Sequence, residues 1–239
     1  MTGFQIEIDM TQDTVTSLAD GGYSLLGFKA VQSNNAGGAP LAWFNSADYA
    51  TETVLSWQDK YEAFTTNSQI VPGGVIRATN HYPIDRGQTL QVDGNKGTGY
   101  VTQDGVPLAV SIHNTTTVPF TCGVSQSQPD GSMDPLCAFP LYGQHLDVIV
   151  PLERVLLLFT TAQVKTSSVI YKAYSQGLLI DLTAAPVRRV RFDINKGWAW
   201  DGGVWAQIVP PNADLAPLLV EGSSLQSTTP APHRATVAA

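Results

Sequence analysis

The sequence predicts an all-β protein: an antiparallel β-sandwich, jelly-roll-like or built from two packed sheets, with at most a few short helices. Three observations predict it. Apolar and polar residues alternate with period two along much of the chain, as expected for half-buried strands. About fifteen such segments recur at spacings of roughly 8–12 residues, a pattern typical of sandwiches and barrels. The 21 glycines and 15 prolines interrupt the chain too often for long helices.

The N-terminal segment is predicted to form a strand followed by one helix. Apolar and polar residues alternate over residues 4–10, which indicates a half-buried strand. Residues 11–19 are predicted as a short helix, because Thr11 or Asp13 can cap its N-terminus and Gly21 can end it.

The strand pattern then continues almost to the end of the chain. Residues 93–97 contain turn signals, as do Asp104 and Gly105, and an Asp-Gly pair is typical of a hairpin. Residues 155–159 are apolar on both faces, which predicts a central strand covered on both sides. The strands predicted after residue 22 are residues 23–31, 41–44, 51–57, 61–66, 75–80, 88–92, 99–103, 107–113, 117–124, 136–141, 145–150, 154–160, 167–174, 178–182, 187–194 and 204–209.

The domain organisation follows from where large apolar side chains occur. Residues 1–220 are predicted as a single all-β domain with a soft subdivision near residues 125–135, a segment rich in turn residues. Residues 221–239 are predicted as a flexible C-terminal tail, because they have little apolar surface to bury. The predicted core comprises Phe28, Trp43, Phe44, Ile112, Phe120, Phe139, Val148, Leu156, Leu158, Ile180 and Phe192.

Composition and charge exclude several classes of protein. The formal net charge is −7 with only 13 basic residues, so nucleic-acid binding is not expected. No segment is long and apolar enough to predict a membrane-spanning helix, and the N-terminus lacks a signal-peptide pattern. We therefore expect an acidic, soluble protein, cytoplasmic or released without a conventional signal peptide. Cys122 and Cys137 are compatible with a disulfide or with two buried thiols.

The sequence contains no recognised catalytic motif, so no catalytic residue is assigned. His81, His113 and His145 could converge with Asp147 on a metal ion if the fold brought them together. Their spacing is not that of a compact ligand set, so separate polar residues are the favoured interpretation. No metal and no cofactor are predicted.

The tryptophan distribution is the most informative functional feature. Trp198, Trp200 and Trp205 are three of the five tryptophans and lie within eight residues of one another. A flat ring can cover the C–H face of a sugar while adjacent polar groups bond its hydroxyls. The polar neighbours predicted to share this site are Asp193, Asn195 and Asp201. The alternative interpretation is that these tryptophans close one end of the sandwich.

A second aromatic pair and an arginine cluster are further candidates for contact with a ligand. Trp57 and Tyr61 bracket a polar turn, so we include both among the candidate ligand-binding residues. Arg188, Arg189 and Arg191 form the only dense basic cluster. They could meet an acidic ligand, although a surface ladder of paired charges is the ordinary interpretation.

The leading hypothesis is a lectin-like protein that binds a carbohydrate, a small molecule or another surface ligand through an aromatic groove. Such a protein would be soluble. If each site binds weakly, a homo-oligomer would raise the overall affinity by presenting several sites at once. One alternative is an enzyme that uses His and Asp groups on a small metabolite. The other is a pore-forming toxin, in which the Ser/Thr-rich residues 111–121 and 160–168 rearrange into membrane hairpins.

Overall fold

The chain folds almost entirely into strands in the computed structural model, which describes residues 3–222. Strands account for 51% and helices for 6%, against a soluble-protein average of about 20–25% strand. The all-β prediction is therefore confirmed. Residues 223–239, most of the predicted tail, lie outside the described residues. Glu221 and Gly222 belong to the last strand, and Glu221 forms an ion pair with Arg154.

The described residues contain two helices and nineteen strands. The helices are α1 (Gln12–Asp20) and α2 (Ala216–Leu219). The strands are β1 (Gly3–Asp9), β2 (Ser24–Ser33), β3 (Ala39–Pro40), β4 (Phe44–Ser46), β5 (Glu52–Gln58), β6 (Tyr61–Thr66), β7 (Asn80–Ile84), β8 (Gln88–Val92), β9 (Gly99–Thr102), β10 (Val110–Asn114), β11 (Phe120–Ser127), β12 (Met133–Pro135), β13 (Cys137–Leu141), β14 (Leu146–Thr160), β15 (Gly177–Asp181), β16 (Val187–Asp193), β17 (Gly197–Ala199), β18 (Ala206–Val209) and β19 (Val220–Gly222).

These strands form three packed sheets, one of them curled like a half-barrel. The first has four strands in the order β17-β16-β1-β5. The second has nine, with the path β18-β15-β14-β10-β8-β9 and with β2, β4 and β19 attached beside β14. The third has the order β3-β13-β11-β6-β7, with β12 beside β11. Residues 125–135 form the β11–β12 hairpin inside this third sheet.

Most strand pairs are antiparallel, but three pairs among the described residues are parallel: β1 with β16, β8 with β10, and β2 with β19. The parallel β8–β10 pair means that the Asp-Gly signal at residues 104–105 does not close a hairpin. The chain crosses over there because β8 lies between β9 and β10. A Cβ at Gly105 would lie 2.4 Å from the carbonyl oxygen of Gln88, so glycine is needed for this close crossing.

Helix α1 begins and ends as the sequence predicts. Thr11 is the N-cap, and its Oγ1 accepts a hydrogen bond from the backbone N–H of Thr14 at 3.2 Å. Gly21 is the C-cap, with its N–H donating to the carbonyl of Ser17. The buried Leu18 anchors the helix on the sheets.

Removing the N-cap should cost measurable stability. We expect Thr11→Ala to lower the free energy of unfolding by about 0.5–2 kcal/mol, because one N-terminal N–H loses its partner. Urea denaturation measures the loss. Thr16→Ala, an exposed change within the same helix, is the control and should leave stability equal or slightly raised. Equal stability of the two variants would show that the cap contributes nothing.

Strand β14 is the centre of the molecule, as its apolar sequence predicts. It pairs with β2, β10 and β15, and residues 155–160 are all buried. The main apolar cluster takes residues from all three sheets, such as Ile8, Leu157 and Phe139. Every predicted core residue is buried except Phe192, which is half-buried. The four-stranded sheet keeps one face exposed, with Val54 and Val187 each 50% exposed.

The two cysteines are buried free thiols, so the alternative of a disulfide is not realised. Cys122 Sγ donates to the carboxylate of Asp147 at 3.3 Å. Burial raises the pKa of both thiols, that of Cys137 to about 12. No helix within residues 3–222 has the length and apolar character needed to cross a membrane.

Candidate functional site

Trp198 belongs to the core rather than to a surface site. It lies on β17 opposite Phe192 of β16. Its ring stacks with Phe159 at a centroid distance of 5.7 Å and contacts Phe192 at 4.8 Å. Only 5% of the residue is exposed. Trp198 therefore packs in the core and does not present its ring to a ligand.

Trp200 and Trp205, by contrast, are half-buried and lie on the loop that joins β17 to β18. Trp200 Nε1 donates to the carbonyl of Gly203 at 2.7 Å, and Trp205 Nε1 donates to Asp201 Oδ1 at 3.0 Å. Asp201 Oδ1 also accepts from the backbone N–H of Gly203, and Gly202 has a φ of 86° that favours glycine. The loop thus holds both rings by their N–H groups.

The arginines of β16 play different parts. Arg188 lies over the ring of Trp205, with Cζ 4.6 Å from the ring centroid, and its Nε donates to the carbonyl of Asp181. Arg189 is engaged by carboxylates of Glu7, Asp9 and Glu52. Arg191 is exposed and makes no side-chain hydrogen bond or ion pair within residues 3–222. The paired-ladder interpretation therefore holds for Arg189 alone.

These residues enclose a groove, which we call the tryptophan groove, of about 320 Å³. Its walls combine indole surface, guanidinium donors and carboxylate acceptors. Such a mixture suits hydroxyl groups, because a hydroxyl donates and accepts hydrogen bonds at the same time. The lining residues are Asp9, Val187, Arg188, Arg189, Val190, Arg191, Trp200, Asp201 and Trp205.

Asp193 and Asn195 are not brought beside these rings. Asp193 Oδ1 accepts from the backbone N–H groups of Asn195 and Lys196, at 2.9 and 3.0 Å, and so stabilises the β16–β17 turn. Asp193 lines a cavity of about 440 Å³, and Asn195 lines another of about 310 Å³. Neither residue lines the groove of Trp200 and Trp205, although the Asp193 cavity shares Asp9 and Arg191 with that groove.

Trp57 and Tyr61 are also buried, at 3% and 6% exposure, so neither presents an open ring to a ligand as the sequence predicts. Trp57 stacks on Phe4 at 5.9 Å and meets the edge of Trp43 at 5.3 Å. Its Nε1 has no hydrogen-bond partner among residues 3–222. Trp57 nevertheless contributes to the wall of a second cavity, of about 670 Å³.

A buried charge network lies beneath Trp57. The Lys29 side chain is fully buried, with Nζ 5.2 Å from the Trp57 ring and 3.2 Å from Glu153 Oε2. Glu153 Oε1 accepts from Arg86 at 2.6 Å, and Arg86 also donates to the Tyr61 hydroxyl. Burial lowers the pKa of Lys29 although Glu153 opposes the shift. For Tyr61, whose charged form is the anion, burial instead raises the pKa.

The histidines considered for a metal or for catalysis have separate partners. His81 lies 3.2 Å from Glu62, His113 Nδ1 bonds Gln91, and His145 contacts the Tyr142 ring. No group of three His, Cys, Asp or Glu side chains within residues 3–222 could hold a metal ion. Asp147 is held by both its oxygens to the Asn35 amide, and burial raises its pKa.

The site that the fold assembles is smaller than the predicted one and includes residues that the predicted set left out. Of the predicted residues, Trp200, Asp201 and Trp205 come together. Arg188 and Arg191 join them. The clustering of arginines in the sequence was the one signal for these two residues. Nothing in the local sequence indicated that the 200–205 loop folds over them. Comparison of the chain with protein-family models, with curated proteins and with solved structures found no match.

Proposed function

We propose that this protein binds carbohydrate through the tryptophan groove. The observation that carries the proposal is the pair of half-buried rings, Trp200 and Trp205, held by their N–H groups in one groove with Arg191. Both N–H groups are already bonded, Arg188 covers one face of the Trp205 ring, and both rings pack in part against the core. A ligand would therefore meet the remaining exposed surface of the two rings. Indole faces pack against the C–H faces of sugar rings.

The charges of the groove favour a neutral sugar over an anion. Asp9 and Asp201 line the same walls as three arginines, of which Arg189 is already paired with Glu7 and Glu52. An anionic ligand would therefore meet repulsion as well as attraction. The net charge of −7 adds to that repulsion at long range. Neutral hydroxyls can use both the guanidinium donors and the carboxylate acceptors.

The test is a glycan panel followed by two substitutions. We expect Trp205→Ala to weaken binding of the selected glycan by about tenfold or more, since aromatic anchors carry much of the energy of such contacts. Arg191→Gln should weaken it as well, and within residues 3–222 the Arg191 side chain has no hydrogen bond or ion pair to lose. Calorimetric titration measures both affinities.

Tyr100→Ala is the matched control, because Tyr100 is an exposed aromatic residue, 54% accessible, that does not line the groove. It should bind as the unmodified protein does. A panel without any bound glycan would contradict the proposed function. So would a Trp205→Ala protein that folds normally and keeps its full affinity.

A further inference from the structure

The second cavity adjoins the tryptophan groove on the same sheet. We call it the glutamine cavity, because Gln5, Gln58 and Gln128 line it. Its walls come from the start of β1, the end of β5 and the β11–β12 hairpin, and it measures about 670 Å³. Val187 lines both spaces and is half-exposed where they meet. The two spaces therefore share a wall at the start of β16.

The register of the strands shows that the two spaces lie one after the other along β1 and β16. Ser56, Gln5 and Val187 lie in one row across β5, β1 and β16. From this row, β16 runs to Arg191, which is paired in register with Asp9 of β1. The glutamine cavity touches the first residue of β1 and the tryptophan groove its last. Seven residues of strand span about 20 Å, which is the length of several linked sugar units.

The glutamine cavity offers hydrogen bonds that the protein itself does not use. The side chains of Ser56, Gln58 and Lys60 are without hydrogen-bond partners within the described chain. Trp57 also lines the cavity, although nearly all of its side chain is buried. The Gln58 amide and the Ser56 hydroxyl match neutral hydroxyls, and the Lys60 ammonium can donate to hydroxyls as well.

We propose that the glutamine cavity and the tryptophan groove together bind one linear, neutral oligosaccharide of several units, not a single sugar. This inference rests on the proposed function and adds the class of glycan. The end unit stacks on Trp200 and Trp205, the chain passes Val187, and the following units bond the polar groups of the glutamine cavity. Units linked in one chain bind the second space at a high effective concentration.

The experiment titrates the full chain with oligomers of glucose, galactose, mannose and N-acetylglucosamine, from the monomer to the hexamer. We expect affinity in the bound series to rise at least tenfold from the disaccharide to the hexamer. A longer oligomer can place several of its units in the same site, which raises its apparent affinity even without new contacts. The expected rise is larger than that statistical effect.

Two variants separate the two spaces. Gln58→Ala should weaken hexamer binding severalfold and leave disaccharide binding unchanged, whereas Trp205→Ala should weaken both. Gln207→Ala, at an exposed glutamine on β18 outside both spaces, is the matched control and should change neither. Binding that is equal for all lengths, or a hexamer unaffected by Gln58→Ala, overturns the chain proposal and leaves the proposed function standing. Absence of binding at every length overturns both.

Discussion

Replacing Glu153 with glutamine is expected to destabilise the fold by about 3–5 kcal/mol. Both carboxylate oxygens are in use: Oε2 faces Lys29 at 3.2 Å and Oε1 faces Arg86 at 2.6 Å. A glutamine would turn an NH₂ group toward one of these cations. Because the Lys29 side chain is fully buried, water cannot replace the lost partner. An uncompensated buried charge is among the costliest defects in a protein.

Removing the other partner should cost far less. In Lys29→Met, Glu153 keeps its bond to Arg86, and the methionine chain still fills the space beside Phe4, Trp43 and Trp57. We expect stability within about 1 kcal/mol of the unmodified protein, since apolar groups often replace buried ion pairs without loss. Urea denaturation of both variants gives the comparison. Equal losses for Glu153→Gln and Lys29→Met would contradict this account.

The same network predicts a pH dependence. Burial lowers the pKa of Lys29 in the folded state below the 10.5 of the free side chain. Between those two values Lys29 is more protonated in the unfolded chain than in the folded protein. Its contribution to the free energy of unfolding therefore rises with pH. Glu153 raises the pKa of Lys29, so its loss lowers that pKa further. The penalty of Glu153→Gln should therefore be larger at pH 6 than at pH 9. When Glu153→Gln is introduced into the Lys29→Met protein, its effect on the free energy of unfolding should be the same at pH 6 and at pH 9.

The second large effect is expected from the centre of β14. Leu156→Ala and Leu158→Ala should each lower the free energy of unfolding by about 2–5 kcal/mol. Both side chains are fully buried in the apolar cluster that contains Phe28 and Ile170. Strands β2 and β15 flank them on both sides, so the surrounding structure has little freedom to close the cavity. Differential scanning calorimetry or urea denaturation measures the loss.

Leu146→Ala is the control, because Leu146 lies on the same strand but is 37% exposed. Its loss should stay below about 1 kcal/mol. If Leu156→Ala were no more costly than Leu146→Ala, β14 could not be the tightly packed centre of the molecule. A combined Leu156→Ala and Leu158→Ala variant should lose roughly the sum, less any coupling between the two adjacent cavities.

Part of the geometry of the candidate site follows from the sequence, and its role in binding stays a prediction. Trp200, Asp201 and Trp205 lie together because a turn with Gly202 and Gly203 joins residues next to one another. The run of tryptophans could not separate Trp198 from them, since strand alternation alone places Trp198 and Trp200 on one face. The end of β17 at Ala199 breaks that alternation, and this depends on where the 200–205 loop joins β18.

Polar residues lie between Trp57 and Tyr61, which predicts a turn that faces a ligand. Both side chains instead contact residues that are distant in sequence: Lys29 lies over the Trp57 ring, and Arg86 donates to the Tyr61 hydroxyl. Glu153 reaches Lys29 because the β2–β14 register shifts between Pro151 and Val155. Such a bulge redirects a side chain, and residue types alone do not show where it occurs.

Local features of this protein follow from residues within a few positions of one another. Period-two alternation predicts the buried face of β1, the apolar run at residues 155–159 predicts the central strand, and Thr11 with Gly21 predicts the ends of α1. Long-range features become visible only in the packed sheets: the parallel pairing of β1 with β16, the burial of Trp57 and the meeting of the two cavities at Val187. Each of those depends on contacts between distant segments, and their free energy exists only once the sheets have packed.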